Sequence, residues 1–134
     1  MKKLFILTTL IFTVLFSTPS YSEWTEVGEG SGSSNSGDTF YVDFERIRKH
    51  GGYVYYWTLS DYLKPLASGY LSSKMYKQGD CKLFRYKYLS WSYHKEPMGV
   101  GTGETPPVPK EHKDWKYPPP NSVNEVILKL VCSR

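Results

Sequence analysis

Short runs of apolar and polar residues, separated by clusters of turn-forming residues, dominate this chain and predict strands rather than helices. Trp24-Thr25-Glu26-Val27 alternates apolar with polar and reads as a first short strand, and Phe40-Tyr41-Val42-Asp43 as a second. Residues 53–59 (Tyr, Val, Tyr, Tyr, Trp, Thr, Leu) are β-branched and aromatic throughout, the clearest strand in the chain. Residues 71–77 predict another strand, Gln78-Gly79-Asp80 a turn, and residues 81–94 a long strand or bent hairpin arm. Residues 28–38 read as a Gly/Ser-rich loop, residues 44–50 as a helical turn before the break at Gly51-Gly52, and Pro65 ends the segment that precedes it. Residues 96–109, rich in Gly and Pro, read as loop or a weak edge strand.

One helix is predicted, at the C-terminal end. Pro118-Pro119-Pro120 imposes an extended approach to it. Ser122 followed by Glu125 is a capping box, in which each side chain satisfies a backbone N–H of the other residue. Val123, Val126, Ile127, Leu130 and Val131 recur at helical spacing and make an apolar stripe. A helix of about twelve residues is marginal alone, so the stripe has to pack on the sheet. The fold class is therefore α+β: an antiparallel sheet of five to six strands with one C-terminal helix packed on a face.

The N-terminal pattern differs from everything after it. Met1-Lys2-Lys3 is a short positive start, residues 4–16 are almost unbroken apolar, and Ser20-Tyr21-Ser22 places small residues where a signal peptidase reads them. The run is too short to span a bilayer of roughly 30 Å hydrocarbon. Residues 1–22 thus read as a secretory signal cleaved before Glu23, and residues 23–134 as a single domain with no transmembrane segment. Export changes the reading of Cys81 and Cys132, the only two cysteines: in an oxidising compartment they most simply form one disulfide, tying the helix to the sheet.

Composition narrows the function classes. The full chain carries a net charge of +4. Loss of Lys2 and Lys3 with the signal lowers this to about +2, too weak and too scattered for nucleic-acid binding. Twelve Tyr, four Trp and six Phe in 134 residues are more rings than so small a domain buries easily, which predicts exposed aromatics. His50, His94 and His112 lie in separate segments. Ser90 and Ser92 neighbour His94, but same-face residues along one strand stand about 7 Å apart, beyond hydrogen-bond reach. Glu111-His112-x-Asp114 lacks a third fixed metal ligand. Neither an enzyme, a cofactor nor a metal site is expected.

The long strand carries the best candidate surface. Counted alternately from Cys81, Leu83, Arg85, Lys87, Leu89, Trp91 and Tyr93 share one face, and Lys82, Phe84, Tyr86, Tyr88 and His94 the other. With Cys81 facing the helix, Phe84, Tyr86 and Tyr88 point away from it; a bulge would reverse that parity. Tyr53, Tyr55 and Trp57 make a second aromatic column. Interleaved rings and cations suit protein or glycan recognition, and Arg85, Tyr86, Lys87, Tyr88, Trp91 and Tyr93 are the candidate protein-binding residues. The competing reading is that these rings are cross-strand pairs that stabilise the sheet.

An ordered set of short motifs runs through the same elements. It comprises Tyr41-Val42-Asp43 with Ile47 and Arg48, then Trp57-Thr58-Leu59-x-Asp61-Tyr62, Ser72-Ser73-Lys74, Asp80-Cys81 and Leu89-Ser90, then Trp115, Pro120-Asn121-Ser122 and Cys132. In this the chain resembles the surface-adhesin protein E family of Gram-negative envelope proteins. The resemblance implies a six-stranded antiparallel sheet with a C-terminal helix. It also implies binding of host extracellular-matrix and serum proteins such as laminin, vitronectin and plasminogen, and the capacity to form a homodimer. The family's adhesin is held at the outer membrane as a lipoprotein, whereas no cysteine lies near the cleavage site here, which points to a periplasmic or secreted protein. Two function classes follow: an adhesin-type envelope protein that binds a host or envelope protein through a sheet face, or a periplasmic structural or inhibitory module whose partner is a bacterial protein or small ligand. The intact mass of the exported protein is expected to be that of residues 23–134 with no lipid adduct; an added acyl mass overturns this.

Overall fold

The computed structural model describes residues 23–30 and 37–134. The predicted signal, residues 1–22, and most of the predicted Gly/Ser loop lie outside the described residues. Strands β1 (Thr25–Gly30), β2 (Asp38–Val42), β3 (Arg48–His50), β4 (Tyr53–Asp61), β5 (Ser72–Asp80) and β6 (Arg85–His94) form one sheet, and helix α1 (Val123–Cys132) packs on it. The order across the sheet is β1-β2-β4-β5-β6, with β3 also paired to β4, and every pairing is antiparallel. This is the α+β architecture expected from the alternation pattern.

Local boundaries differ from the sequence reading in several places: β1 runs through Gly30 into the predicted loop because Gly28, Glu29 and Gly30 pair with Phe40, Thr39 and Asp38 of β2. The predicted helical turn over residues 44–50 is a 3-10 turn only at Phe44–Arg46, capped by the Asp43 carboxylate, which accepts from Glu45 N at 3.2 Å. Arg48–His50 then becomes β3 and forms a hairpin with β4 through Gly51-Gly52, both at positive φ (61° and 83°), as a tight two-residue hairpin requires. The predicted turn at Gln78-Gly79-Asp80 is the end of β5 instead. Gly79 is a close-approach glycine: a Cβ there would sit 2.8 Å from Val54 Cγ1 and 3.0 Å from Leu128 Cδ1, so the helix can lie on the sheet only without it.

The chain reverses one step later, over residues 81–84. The Asp80 carboxylate accepts from Lys82 N and Leu83 N, each at 3.2 Å, and Phe84 adopts a positive φ of 52° that brings its ring against the core. The long strand accordingly starts at Arg85, not at Cys81.

The core lies between α1 and the sheet: Val42, Val54 and Tyr56 from the strands meet Ile127, Leu128 and Val131 from the helix. Ser122 caps α1 by accepting from Glu125 N at 3.2 Å, while Glu125 Oε1 accepts from Asn121 N one residue before the expected position. The helix is rotated relative to the predicted stripe. Val126 is 41 % exposed, whereas Leu128, outside the counted stripe, is fully buried. The buried face includes Asn124, a polar residue that apolar counting passes over.

Cys81 and Cys132 form the disulfide, with Cα atoms 5.7 Å apart, and staple the end of α1 to the β5–β6 turn. Replacing both by Ser is expected to lower stability by ~2–5 kcal/mol in urea denaturation. Thiol titration of the unfolded, unreduced protein should find no free thiol.

Candidate binding faces of the sheet

The two faces follow from strand register. Val54, Gly79 and Tyr86 are directly paired across β4, β5 and β6, as are Tyr56, Lys77 and Tyr88. Paired residues point the same way, and Val54 and Tyr56 pack on α1, so Tyr86 and Tyr88 face the helix. This reverses the expectation that they point away from it. A bulge then divides β6: Tyr76 pairs with Ser90 but Lys77 with Tyr88, leaving Leu89 as the extra residue. Beyond it the alternation is reset. Trp91 and Tyr93 join Tyr86 and Tyr88 on the helix side, while Ser90, Ser92 and His94 join Arg85 and Lys87 on the outer side.

The six candidate residues are therefore split between faces. On the helix side, Tyr86, Tyr88, Trp91 and Tyr93 form a row of edge-on and tilted rings with centroids 5.6–6.3 Å apart. A strap of chain closes over this row, bridging Tyr93 to Glu104 and Tyr86 to Lys116 along the β6 edge. His112 packs against Tyr88 and Trp91, at 6.1 and 5.6 Å. Tyr86 is 4 % and Trp91 9 % exposed. These two rings are packing, and the strap also protects the sheet edge from pairing with another chain.

The outer face is covered at one end and open at the other. At the covered end, loop 95–103 buries Leu59, Ser72 and His94. Ser72 Oγ donates to Glu96 O at 2.6 Å and accepts from Gly99 N at 2.8 Å. Here Ser92 Oγ lies 2.8 Å from His94 Nε2, closer than strand spacing predicts, because both side chains lean toward each other above the pleat. His94 Nδ1 is 3.2 Å from Gly101 O; a carbonyl only accepts, so Nδ1 carries the proton and Nε2 accepts from Ser92. Burial, then the charge of Lys74, lowers the His94 pKa and keeps the ring neutral. A Cβ on Gly103 would come within 2.5 Å of the ring, so the loop backbone packs directly on the buried imidazole. It pins the loop.

At the open end, Trp57 stacks on Tyr76 at 4.9 Å, Tyr55 lies 6.3 Å from Tyr76, and Tyr53 stacks on Trp115 at 5.6 Å. Cations frame these half-buried rings. Arg85 and Lys87 sit over Trp115, at 4.4 and 4.6 Å from the ring centroid. Arg46 and Arg48 line a depression of about 310 Å³ against Trp57 and Tyr76. Arg85 is paired with Asp80 at 3.0 Å and Arg46 with Asp43 at 3.4 Å. Among the described residues Arg48 and Lys87 make no ion pair. Burial raises the Asp80 pKa, but the Leu83 N–H and the Arg85 side chain outweigh it and hold the carboxyl below its ordinary value.

Sequence reasoning found the Tyr53, Tyr55 and Trp57 column. It missed Arg48, hidden in a segment read as a helical turn, and did not connect Tyr76 and Trp115 to the column, because only pairing register brings them there. Glu111-His112-x-Asp114 gathers no metal set; no group of three or more candidate ligands occurs among the described residues.

A further polar group lies inside. Lys77 is 3 % exposed beneath α1, with Nζ 3.1 Å from Asn124 Oδ1 and over the Tyr86 and Tyr88 rings at 5.4 and 5.3 Å. Burial lowers its pKa to about 7.

A disulfide-stapled sheet-and-helix domain, closed on one face and presenting rings and cations on the other, has the build of a small binding module. The chain belongs to the Surface-adhesin protein E family of adhesin-like envelope proteins, whose model matches residues 24–133. Its fold is similar to that of Haemophilus influenzae protein E in crystal form II, with a TM-score of 0.57 at 18 % identity over 70 % of this chain and 80 % of that one. No curated protein sequence matches it significantly. No helix among the described residues is long and apolar enough to cross a membrane.

The Lys77 shift has a definite sign. Between pH about 7 and its ordinary value of 10.5 the unfolded chain binds a proton that the folded chain does not, so stability rises with pH through that window. Lys77→Met should raise stability at pH 7 by ~1–3 kcal/mol, the removed burial cost being partly offset by an unpaired Asn124 carbonyl. It should also flatten the rise between pH 7 and 9. Urea midpoints at the two pH values check this, and an unchanged pH slope overturns it.

Proposed function

We propose that this protein is an exported adhesin-type module that binds a protein partner, a host matrix or serum protein or another envelope protein, through the open end of its outer sheet face. The observation that carries the reading is the Trp57–Tyr76 stack beside Arg48, with Lys87 on the same face. These are the residue types that anchor protein interfaces: flat rings of low entropy cost next to cations that pair with no carboxylate among the described residues. Family membership supports the binding role. The charge pattern favours an acidic, aromatic-bearing segment on the partner, since cation–ring and cation–carboxylate contacts can then form together.

Of the six residues singled out from sequence, Arg85 and Lys87 stay in the proposed surface. Tyr86 and Trp91 serve the closed side, where truncation would act through folding rather than through contact. In surface-binding assays against immobilised matrix and serum proteins and envelope extract, Arg48→Ala, Trp57→Ala, Tyr76→Ala and Lys87→Ala are compared with wild type after circular dichroism establishes folding. At least one ring variant is expected to lose about 2 kcal/mol of binding, roughly 30-fold. If all four fold and bind every partner as wild type does, the outer face is scaffold only.

A further inference from the structure

Between the first turn of α1 and the sheet lies a cavity of about 320 Å³, at the small end of the roughly 300–1,000 Å³ typical of ligand pockets. Phe40, Met75, Val123 and Ile127 make its apolar walls, Thr58, Ser60 and Tyr88 add hydroxyls, and Lys77 and Asn124 form its other polar lining. We propose that this cavity is a binding site for a small monocarboxylate with an apolar tail, whose carboxylate takes the two N–H groups of Lys77 that have no oxygen partner among the described residues.

An ammonium carries three N–H donors, and among the described residues the single oxygen partner of Lys77 is Asn124 Oδ1 at 3.1 Å. Asn124 is held in that orientation because its Nδ2 donates to Tyr86 OH at 2.9 Å. Among the described residues the titratable groups that face Lys77 are tyrosines: Tyr56, paired with it from β4, and Tyr86 and Tyr88 from β6. Burial raises the pKa of all three, so they stay neutral. On α1 the nearest acid in sequence, Glu125, is paired with Lys129 at 3.3 Å. A buried cation with no counter-ion is costly, and its low proton affinity reflects burial alone.

An anion would remove that cost. Val123 and Asn124 are the first two residues of α1, so the positive end of the helix dipole adjoins the cavity and adds to the attraction. One ammonium suits a single negative charge, not a phosphate, and the four apolar side chains suit a short hydrocarbon tail.

The probe is octanoate, with octanol and octylamine as matched controls, tested on the exported protein by calorimetry and thermal shift. Octanoate is expected to bind one site and raise Tm, and neither control should match it. Lys77→Met should weaken octanoate binding at least about tenfold. In wild type the affinity should fall more than about tenfold from pH 7 to pH 9, because binding requires the ammonium. This pH dependence decides the matter even where Lys77→Met is poorly folded. Octanol binding as tightly as octanoate, octanoate affinity indifferent to pH, or no saturable binding at millimolar concentration each overturns the proposal.

Discussion

The approach of α1 to the middle of the sheet at Gly79 is the constraint on which the other features rest. With Val54 Cγ1 and Leu128 Cδ1 at 2.8 and 3.0 Å from where a Cβ would stand, the helix occupies the space a side chain would take. That proximity buries Leu128 and Val131 completely and brings Cys132 to Cys81. It also sets Asn124 above Lys77, so the same contact that closes the core creates the enclosed polar site. An added side chain at position 79 would lift the helix and loosen all three together.

The bulge at Leu89 determines what each face of the sheet is for. Without it, Trp91 and Tyr93 would extend the outer surface beside Arg85 and Lys87, and Ser92 and His94 would point toward the helix. The extra residue turns Trp91 and Tyr93 inward beside Tyr86 and Tyr88, and turns Ser92 and a neutral His94 imidazole outward, where His94 pins loop 95–103. A long strand thereby supplies core, loop anchor and exposed cations in succession. The aromatic surplus is divided in the same way: the helix-side row is sealed, and the Trp57–Tyr76 and Tyr53–Trp115 stacks remain at the open end.

Charge follows burial on the two faces. Outside, Arg85 has a carboxylate partner and Trp115 beneath it, so it stays charged and ordered. Inside, Lys77 has rings and an amide but no carboxylate among the described residues, and its pKa falls to about 7. The two cations are eight residues apart in sequence on adjacent strands. Their chemistry differs because one lies under a helix and the other under solvent.

Sequence by itself determined what depends on local periodicity and on residue chemistry. The aromatic run of β4, the Ser122 cap of α1, the pairing of the only two cysteines and the sheet-plus-helix class all rest on such signals, and all appear in the structure. What tertiary structure alone decided are the features that depend on elements distant in the chain. Alternation cannot reveal one inserted residue, so the faces of β6 followed from its pairing with β5. A glycine between Gln78 and Asp80 looks like a turn until the helix that needs its missing Cβ is in place. Lys77 sits in a polar stretch, and nothing local marks it as buried, because a cation loses its water only when separate elements close around it.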